Sequence, residues 1–199
     1  QDNDETLYSL LNTNTLAFYS NSKRHSLELE RSKVAELALN YERKFADERK
    51  SLTASVTSSF NRDRENTDID TYNYDVNYLP LGIASWQRTH NYENENISNA
   101  KIDYAFPITK NTSVETGYKG TFRFFNSDFQ TADQINTTYV VNAIASNTFQ
   151  FNEQINAVYG MLNSFSGNSE NPKWKYNLGL RAEQISNNGR TVNQNTDFS

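Results

Sequence analysis

Between Val114 and Phe124 the chain reads VETGYKGTFRF, with Val114, Thr116, Tyr118, Phe122 and Phe124 on one parity and Glu115, Lys119, Thr121 and Arg123 on the other. Successive side chains of a β-strand point to opposite faces, so this stretch is an extended segment with one greasy face and one ionic face. Two environments accept such a segment. In a soluble sheet the greasy face is core. In a membrane-spanning barrel it turns outward to lipid and the ionic face lines the lumen. Parity alone does not choose between them.

The same alternation recurs. Leu52, Ala54, Val56, Ser58 and Phe60 oppose a run of Ser and Thr, Ala100, Ile102, Tyr104 and Phe106 oppose Lys101 and Asp103, and Trp174, Tyr176, Leu178, Leu180 and Ala182 oppose Lys175, Arg181 and Glu183. In 147–162 the ring-bearing parity is Phe149, Phe151, Ile155, Ala157, Tyr159 and Met161. Residues 27–52 fit a helical stripe through Leu27, Val34, Ala38, Tyr41 and Phe45 about as well as they fit alternation through Leu37, Leu39 and Tyr41. The strand that follows needs a neighbour to pair with, which makes the segment before it the other half of a hairpin. The expectation is an all-β, antiparallel meander of about six long strands at 27–45, 51–62, 96–106, 112–125, 147–162 and 173–186. Short turns fall near residues 48, 109 and 168, and long polar loops cover 62–95 and 126–146.

That layout favours the membrane. Globular strands average about five or six residues, whereas a tilted crossing of hydrocarbon takes about nine to eleven. Short turns on one side and long loops on the other is the asymmetry of an outer-membrane barrel. On this reading the ring-bearing parity of every strand meets acyl chains. Phe122, Phe124 and Phe125 at the long-loop end, with Phe45 and Phe106 at the short-turn end, mark the two interfaces. Glu115, Lys119, Arg123, Lys175, Arg181 and Glu183 face the lumen, with Asp103 in cross-strand reach of Lys119.

Composition agrees. Hydrophobic residues make up only 36% of the 199 residues, yet twelve Tyr and twelve Phe exceed what a disordered chain carries. No apolar run approaches the length of a membrane helix. The net charge of -5 has both signs interspersed, with no basic block of the kind that marks a nucleic-acid partner. The opening QDNDETLYSL lacks the features of an export signal, so the chain is expected to remain inside the cell or to be cut from a longer precursor.

No catalytic, cofactor or metal site is expected. His25 and His90 fall in or beside loops, Cys is absent, and no Ser sits in a nucleophile elbow. Asp63, Asp68, Asp70 and Asp75 offer oxygens to calcium but lack the spacing of a calcium loop, so a plain solvated loop is the simpler reading. Ligand capture, if the chain performs it, belongs to the loops at 62–95 and 126–146.

The stretches NYERKFADERKSLTASVTSSF, DYAFPITKNTSVETGYKGTFRF and YNLGLRAEQ resemble hairpin signatures of the outer-membrane β-barrel family of Bacteroidota, relatives of the TonB-dependent receptors. The most specific pieces are Asp103, Tyr104, Phe106 and Pro107, then Glu115, Gly117, Tyr118 and Lys119, then Gly179 to Glu183. The resemblance implies a large barrel with a plug folded inside, importing scarce nutrients with energy relayed by the TonB system. The chain shows no plug and no energy-coupling box. It is therefore expected to be an internal section, residues 1–199, of such a barrel, with outer-membrane lipid, the remaining strands and a plug as partners. The alternative is a soluble or surface-attached β-sandwich that binds glycan or protein through exposed rings such as Trp86.

Overall fold

A computed structural model describes residues 2–11, 18–75, 77–167, 172–192 and 196–198. They form one antiparallel sheet built from β1 (Asp2–Leu11), β2 (Phe18–Lys44), β3 (Ser51–Tyr74), β4 (Pro80–Pro107), β5 (Thr112–Ile135), β6 (Thr138–Val141), β7 (Asn147–Gly167), β8 (Pro172–Thr191) and β9 (Thr196–Phe198). The strands pair in chain order, except that β6 folds back on the end of β5 beside the top of β7. Residues 27–44 are strand throughout and Phe45 follows directly, which resolves the helix ambiguity in favour of the hairpin.

The register fixes the faces. Tyr41, Ala54, Ile102, Tyr118, Val158 and Ala182 occupy one row across six strands, and Leu39, Val56, Ala100 and Gly120 occupy the row beside it. This face is greasy and open, with Leu39 61% and Leu180 86% exposed. Among the described residues only Ile69 and Ala157 are buried hydrophobics, and both lie on the opposite face, as do the buried Thr67 and Thr131. A soluble sandwich would bury Leu39, Phe122 and Leu178 against a second layer. This sheet leaves them on its outer side, which is the lipid-facing arrangement.

Rings bracket the apolar band. Phe45 meets Tyr104 edge-on at 6.4 Å and Tyr104 stacks on Phe106 at 5.4 Å, with Lys50 Nζ 4.8 Å from the Phe45 ring centre. At the other side stand Phe60, Phe122 and Phe124. The ten steps from Val114 to Phe124 span about 33 Å of strand, which a barrel tilt of roughly 40° reduces to about 25 Å, the height of a hydrocarbon band.

The strands do not stop there. The segments 62–95 and 126–146, expected as long loops, are strand for most of their length: β3 runs to Tyr74, a short turn follows, and β4 starts at Pro80. β5 runs to Ile135, and a two-residue turn through Asn136, whose φ is 57°, leads into β6. Apolar alternation marks only that part of a strand which has lipid on one side. Beyond the band both faces meet water, so the alternation fades while the backbone ladder and cross-strand pairs such as Ser127 with Asn91 and Thr148 with Asp128 continue.

One face assignment is corrected. In β7 the ring-bearing parity lies on the lumen side: Phe149, Phe151, Ile155, Ala157, Tyr159 and Met161 share the face of Lys119 and Arg181. The lipid side of β7 carries Val158 and Leu162, together with Asn156, whose side-chain oxygen accepts a hydrogen bond from Tyr118 Oη at 2.6 Å. Tyr118 lies over Gly120, where a Cβ would meet its hydroxyl at 2.6 Å. Phe125 likewise points inward beside Phe151 instead of joining the interfacial ring.

The short turns are stitched together. Arg49 holds Asp47 through its own turn and donates Nη1 to the carbonyls of Thr109 and Lys110 at 3.0 and 3.1 Å, and Asn111 Nδ2 reaches the Gly167 carbonyl. The Arg49 side chain, then its backbone N–H, holds the Asp47 carboxyl below the ordinary carboxylate range. A carboxyl lowered in this way stabilises the turn above its unfolded pKa and loses that contribution as pH falls through the folded value. Hydrogen exchange at the Lys50 amide, corrected for its intrinsic rate, should therefore stay level from pH 7 to about pH 4 and accelerate below it. An Asp47→Asn variant should exchange fast at every pH.

Parity in the band is testable separately. Leu39→Arg puts a cation into hydrocarbon and should destabilise the inserted protein by about 2–4 kcal/mol in urea unfolding from lipid vesicles. Asn40→Arg, one residue on and facing the lumen, should change stability by less than about 1 kcal/mol.

Candidate functional site

The inner face of the sheet carries the polar chemistry. Its lower part is a concavity of about 420 Å³ lined by Lys101, Asp103, Glu115, Lys119, Tyr159 and Arg181. Register places them there: Lys101 lies opposite Lys119, Asp103 opposite Gly117, and Gly117 opposite Tyr159. Gly117 is required at that crossing, because a Cβ would meet the Tyr159 ring at 2.5 Å and the Ile102 carbonyl at 2.7 Å.

Asp103 is the centre of the network. It accepts a short hydrogen bond from Tyr159 Oη, an ion pair from Lys101 Nζ at 2.7 Å and a hydrogen bond from Thr53 Oγ1 at 3.3 Å. The expected partner, Lys119, is not among these; Lys101, two residues along the same strand, takes its place. Arg181 sits 6.0 Å from the Tyr159 ring centre and pairs with Glu183 at 2.7 Å. The carboxylate side chain is only 16% exposed, which explains why it collects so many donors.

Above the apolar band the inner face changes character. On β2–β4 it becomes acidic, with Glu30, Asp63, Glu65, Glu93 and Glu95 all on this side. Arg123 answers Glu95 at 2.6 Å. On β5 and β7 it becomes aromatic, with Phe125 and Phe149 6.2 Å apart and Phe149 and Phe151 6.5 Å apart, and Phe129 one row higher. Nothing in the pattern of 147–162 reveals this cluster, because the inward orientation of Phe149 and Phe151 follows from the pairing of β7 with β5.

The far end is braced by a polar latch. Asp133 accepts from Gln87 Nε2 and Asn142 Nδ2, both at 2.8 Å, and these two donors, in that order, hold its pKa below the usual range. Ser146 Oγ accepts the Thr131 amide at 2.9 Å and donates to the Asn142 carbonyl at 2.7 Å. The tip between them lifts Ile144 to 99% exposure.

The residues weighed for metal chemistry are dispersed. Asp63 faces inward while Asp68 and Asp70 face outward, since residues of unlike parity on one strand cannot converge. Asp68 pairs with Arg88 at 2.7 Å, and Asp75 caps its turn by accepting from the amides of Asn77 and Leu79, both at 2.8 Å. His25 and His90, expected in or beside loops, lie within β2 and β4, and His90 Nδ1 contacts the side-chain oxygen of Asn66. Among the described residues no group of three or more His, Asp or Glu is placed to hold a metal ion.

An unclosed, coreless sheet with a greasy outer face and an ionic inner one agrees with the comparison by sequence. The model of the outer membrane protein beta-barrel family matches residues 43–199. The chain belongs to that family. It is accordingly an outer-membrane protein whose long antiparallel strands cross the bilayer. A search of curated proteins found no match.

In the barrel wall the Asp103 network sits at the level of the lipid band and braces β3, β4 and β7 from inside. Asp103→Asn should lower the urea midpoint of the refolded protein by the equivalent of about 1–2 kcal/mol, since Lys101 is half-exposed and partly rescued by water. Tyr159→Phe should cost about 0.5–1.5 kcal/mol, and the double variant less than the sum of the two.

Proposed function

We propose that this chain forms wall and extracellular strand extensions of a TonB-dependent-receptor-like barrel that imports a scarce nutrient in a bacterium of the Bacteroidota. On this reading a plug domain occupies the lumen and the TonB system supplies energy. The chain itself performs no catalysis. Its role is to enclose the passage and to present a surface to the arriving solute.

The observation that carries the proposal is the continuity of the inner face. A solute meets first the acidic and aromatic surface above the membrane, Glu30, Asp63, Glu65 and Glu93 beside Phe125, Phe149 and Phe151. It then meets the mixed charges of Lys101, Asp103, Glu115 and Lys119 at membrane depth. Rings provide stacking surface for apolar or sugar faces, and carboxylates provide acceptors for hydroxyls and cations. Mixed, nearly balanced charges below are what a wall facing a movable polar plug requires. The resemblance of Asp103 to Pro107, Glu115 to Lys119 and Gly179 to Glu183 to receptor hairpins supports the same reading.

The test is genetic and transport-based. In the bacterium that makes the protein, deletion of its gene and deletion of the energy-coupling system should abolish uptake of the same substrate from a panel of iron chelates, corrinoids and oligosaccharides. Uptake that depends on the protein yet survives a proton uncoupler and loss of energy coupling would overturn the proposal in favour of a passive pore.

A further inference from the structure

The outer face above the aromatic ring holds a group of cations that the wall does not need. Arg31 and Lys33 on β2 lie directly opposite Arg64 and Arg62 on β3. Directly opposed like charges destabilise a sheet, and here two such pairs sit one above the other. Pleat and strand spacing make them a rectangle of about 5 by 7 Å, all four side chains on the outer face and all exposed.

No carboxylate relieves the repulsion. Among the described residues none of the four forms an ion pair. The nearby acids Glu30, Asp63, Glu65, Glu93 and Glu95 point to the other side of the sheet, and Asp128, which shares the outer face in the row of Arg31 and Arg64, lies beyond Tyr92 and accepts from Thr148 and Gln130 instead. Two of the cations are held in place by neutral partners instead: Arg62 Nε donates to Asn94 Oδ1 at 3.0 Å, and the Arg64 guanidinium lies 5.6 Å from the Tyr92 ring centre. Asn94 and Tyr92 leave the positive charge uncancelled.

Depth identifies the occupant. Phe60 and Phe124 stand in the row immediately below Arg62, and a groove of about 290 Å³ runs between Lys33, Arg62, Asn94 and these two rings. The rings mark the edge of the hydrocarbon, so the rectangle lies about 7 Å above it, at headgroup level on the extracellular side. The groove offers apolar wall to an acyl chain and the rectangle offers donors to the anion above it.

We propose that Arg31, Lys33, Arg62 and Arg64 form a binding site for the phosphorylated headgroup of an outer-leaflet lipid, which neutralises the opposed cations and anchors β2–β3 at a set depth. The site is independent of what the barrel imports.

The experiment compares the full-length protein refolded into phosphatidylcholine vesicles, into the same vesicles doped with lipid A, and into vesicles doped with dephosphorylated lipid A. Retained lipid is counted by native mass spectrometry and stability is read from the unfolding temperature. The wild type should retain lipid A and unfold at a higher temperature with it, and should show neither effect with the dephosphorylated form. Each cation near an anionic surface contributes roughly fivefold in affinity, so a variant with all four changed to Gln should bind lipid A at least about a hundredfold more weakly. Because the change removes repulsion, that variant should fold as well as wild type in plain phosphatidylcholine. Arg88→Gln, which alters a paired arginine on the same face, should bind like wild type. Equal retention of phosphorylated and dephosphorylated lipid, or undiminished binding by the quadruple variant, would overturn the proposal. So would full reproduction of the thermal shift by inorganic phosphate alone, which would make the ligand a free anion.

Discussion

In hydrocarbon no water is present to hydrogen-bond a free amide or carbonyl, so a strand can cross a membrane only inside a sheet that satisfies its backbone from both sides. The architecture of this protein follows from that requirement. Its strands pair in sequence order with almost unbroken register, and among the described residues irregularities are confined to strand ends, near Thr71 to Tyr74, at Leu10 and Leu11, and at Ser166 and Gly167. Within the band the ladder is continuous, and the sheet gains its stability from pairing and from lipid instead of from an apolar core of its own.

Once the backbone is satisfied, the two faces become independent. The outer face changes with depth, from rings at Phe45, Tyr104 and Phe106, through Leu39, Val56 and Ile102, to Phe60 and Phe124, and then to a cationic surface. The inner face changes differently, from the Asp103 network to carboxylates and phenyl rings. Arg62 and Asp63 are chain neighbours with opposite charge and opposite surroundings. A period of two lets one segment serve a lipid headgroup and an aqueous vestibule together.

How much of this could be read from the sequence depended on where lipid lies. Leu52 to Phe60, Ile102 to Phe106 and Tyr118 to Phe124 each have hydrocarbon on one side and water on the other, and there alternation marked the strand while strand length and turn asymmetry set its facing; Leu37 to Tyr41, equally compatible with a helical stripe, read as strand only as the partner of 51–62. The extensions at 62–74, 80–95 and 126–135 meet water on both faces, so nothing in their side-chain pattern separates them from polar loop; their existence rests on backbone pairing. β7 fails for another reason. Its lumen parity holds Phe149, Phe151 and Tyr159 because rings there pack on Phe125 and bond to Asp103, while Asn156 on the lipid parity is masked by Tyr118. Hydrophobicity ranks the two sides of that strand wrongly, and only register with β5 corrects it. The rectangle of Arg31, Lys33, Arg62 and Arg64 was equally hidden, since it exists only once β2 and β3 are aligned.

The central claim is that one face of the sheet touches lipid and the other water over a defined height. The chain has no cysteine, so single-cysteine variants from Ser113 to Ile135 on β5 need no background removed. Labelled in vesicles with a membrane-impermeant thiol reagent small enough to enter the lumen, positions 114 to 124 other than Gly117 and Gly120, where a Cβ has no room, should react in alternation, odd residues fast and even residues protected. From about residue 126 onward both parities should react, apart from the buried Thr131. Uniform protection of both parities between 114 and 124, or fast labelling of the even positions there, would contradict the account.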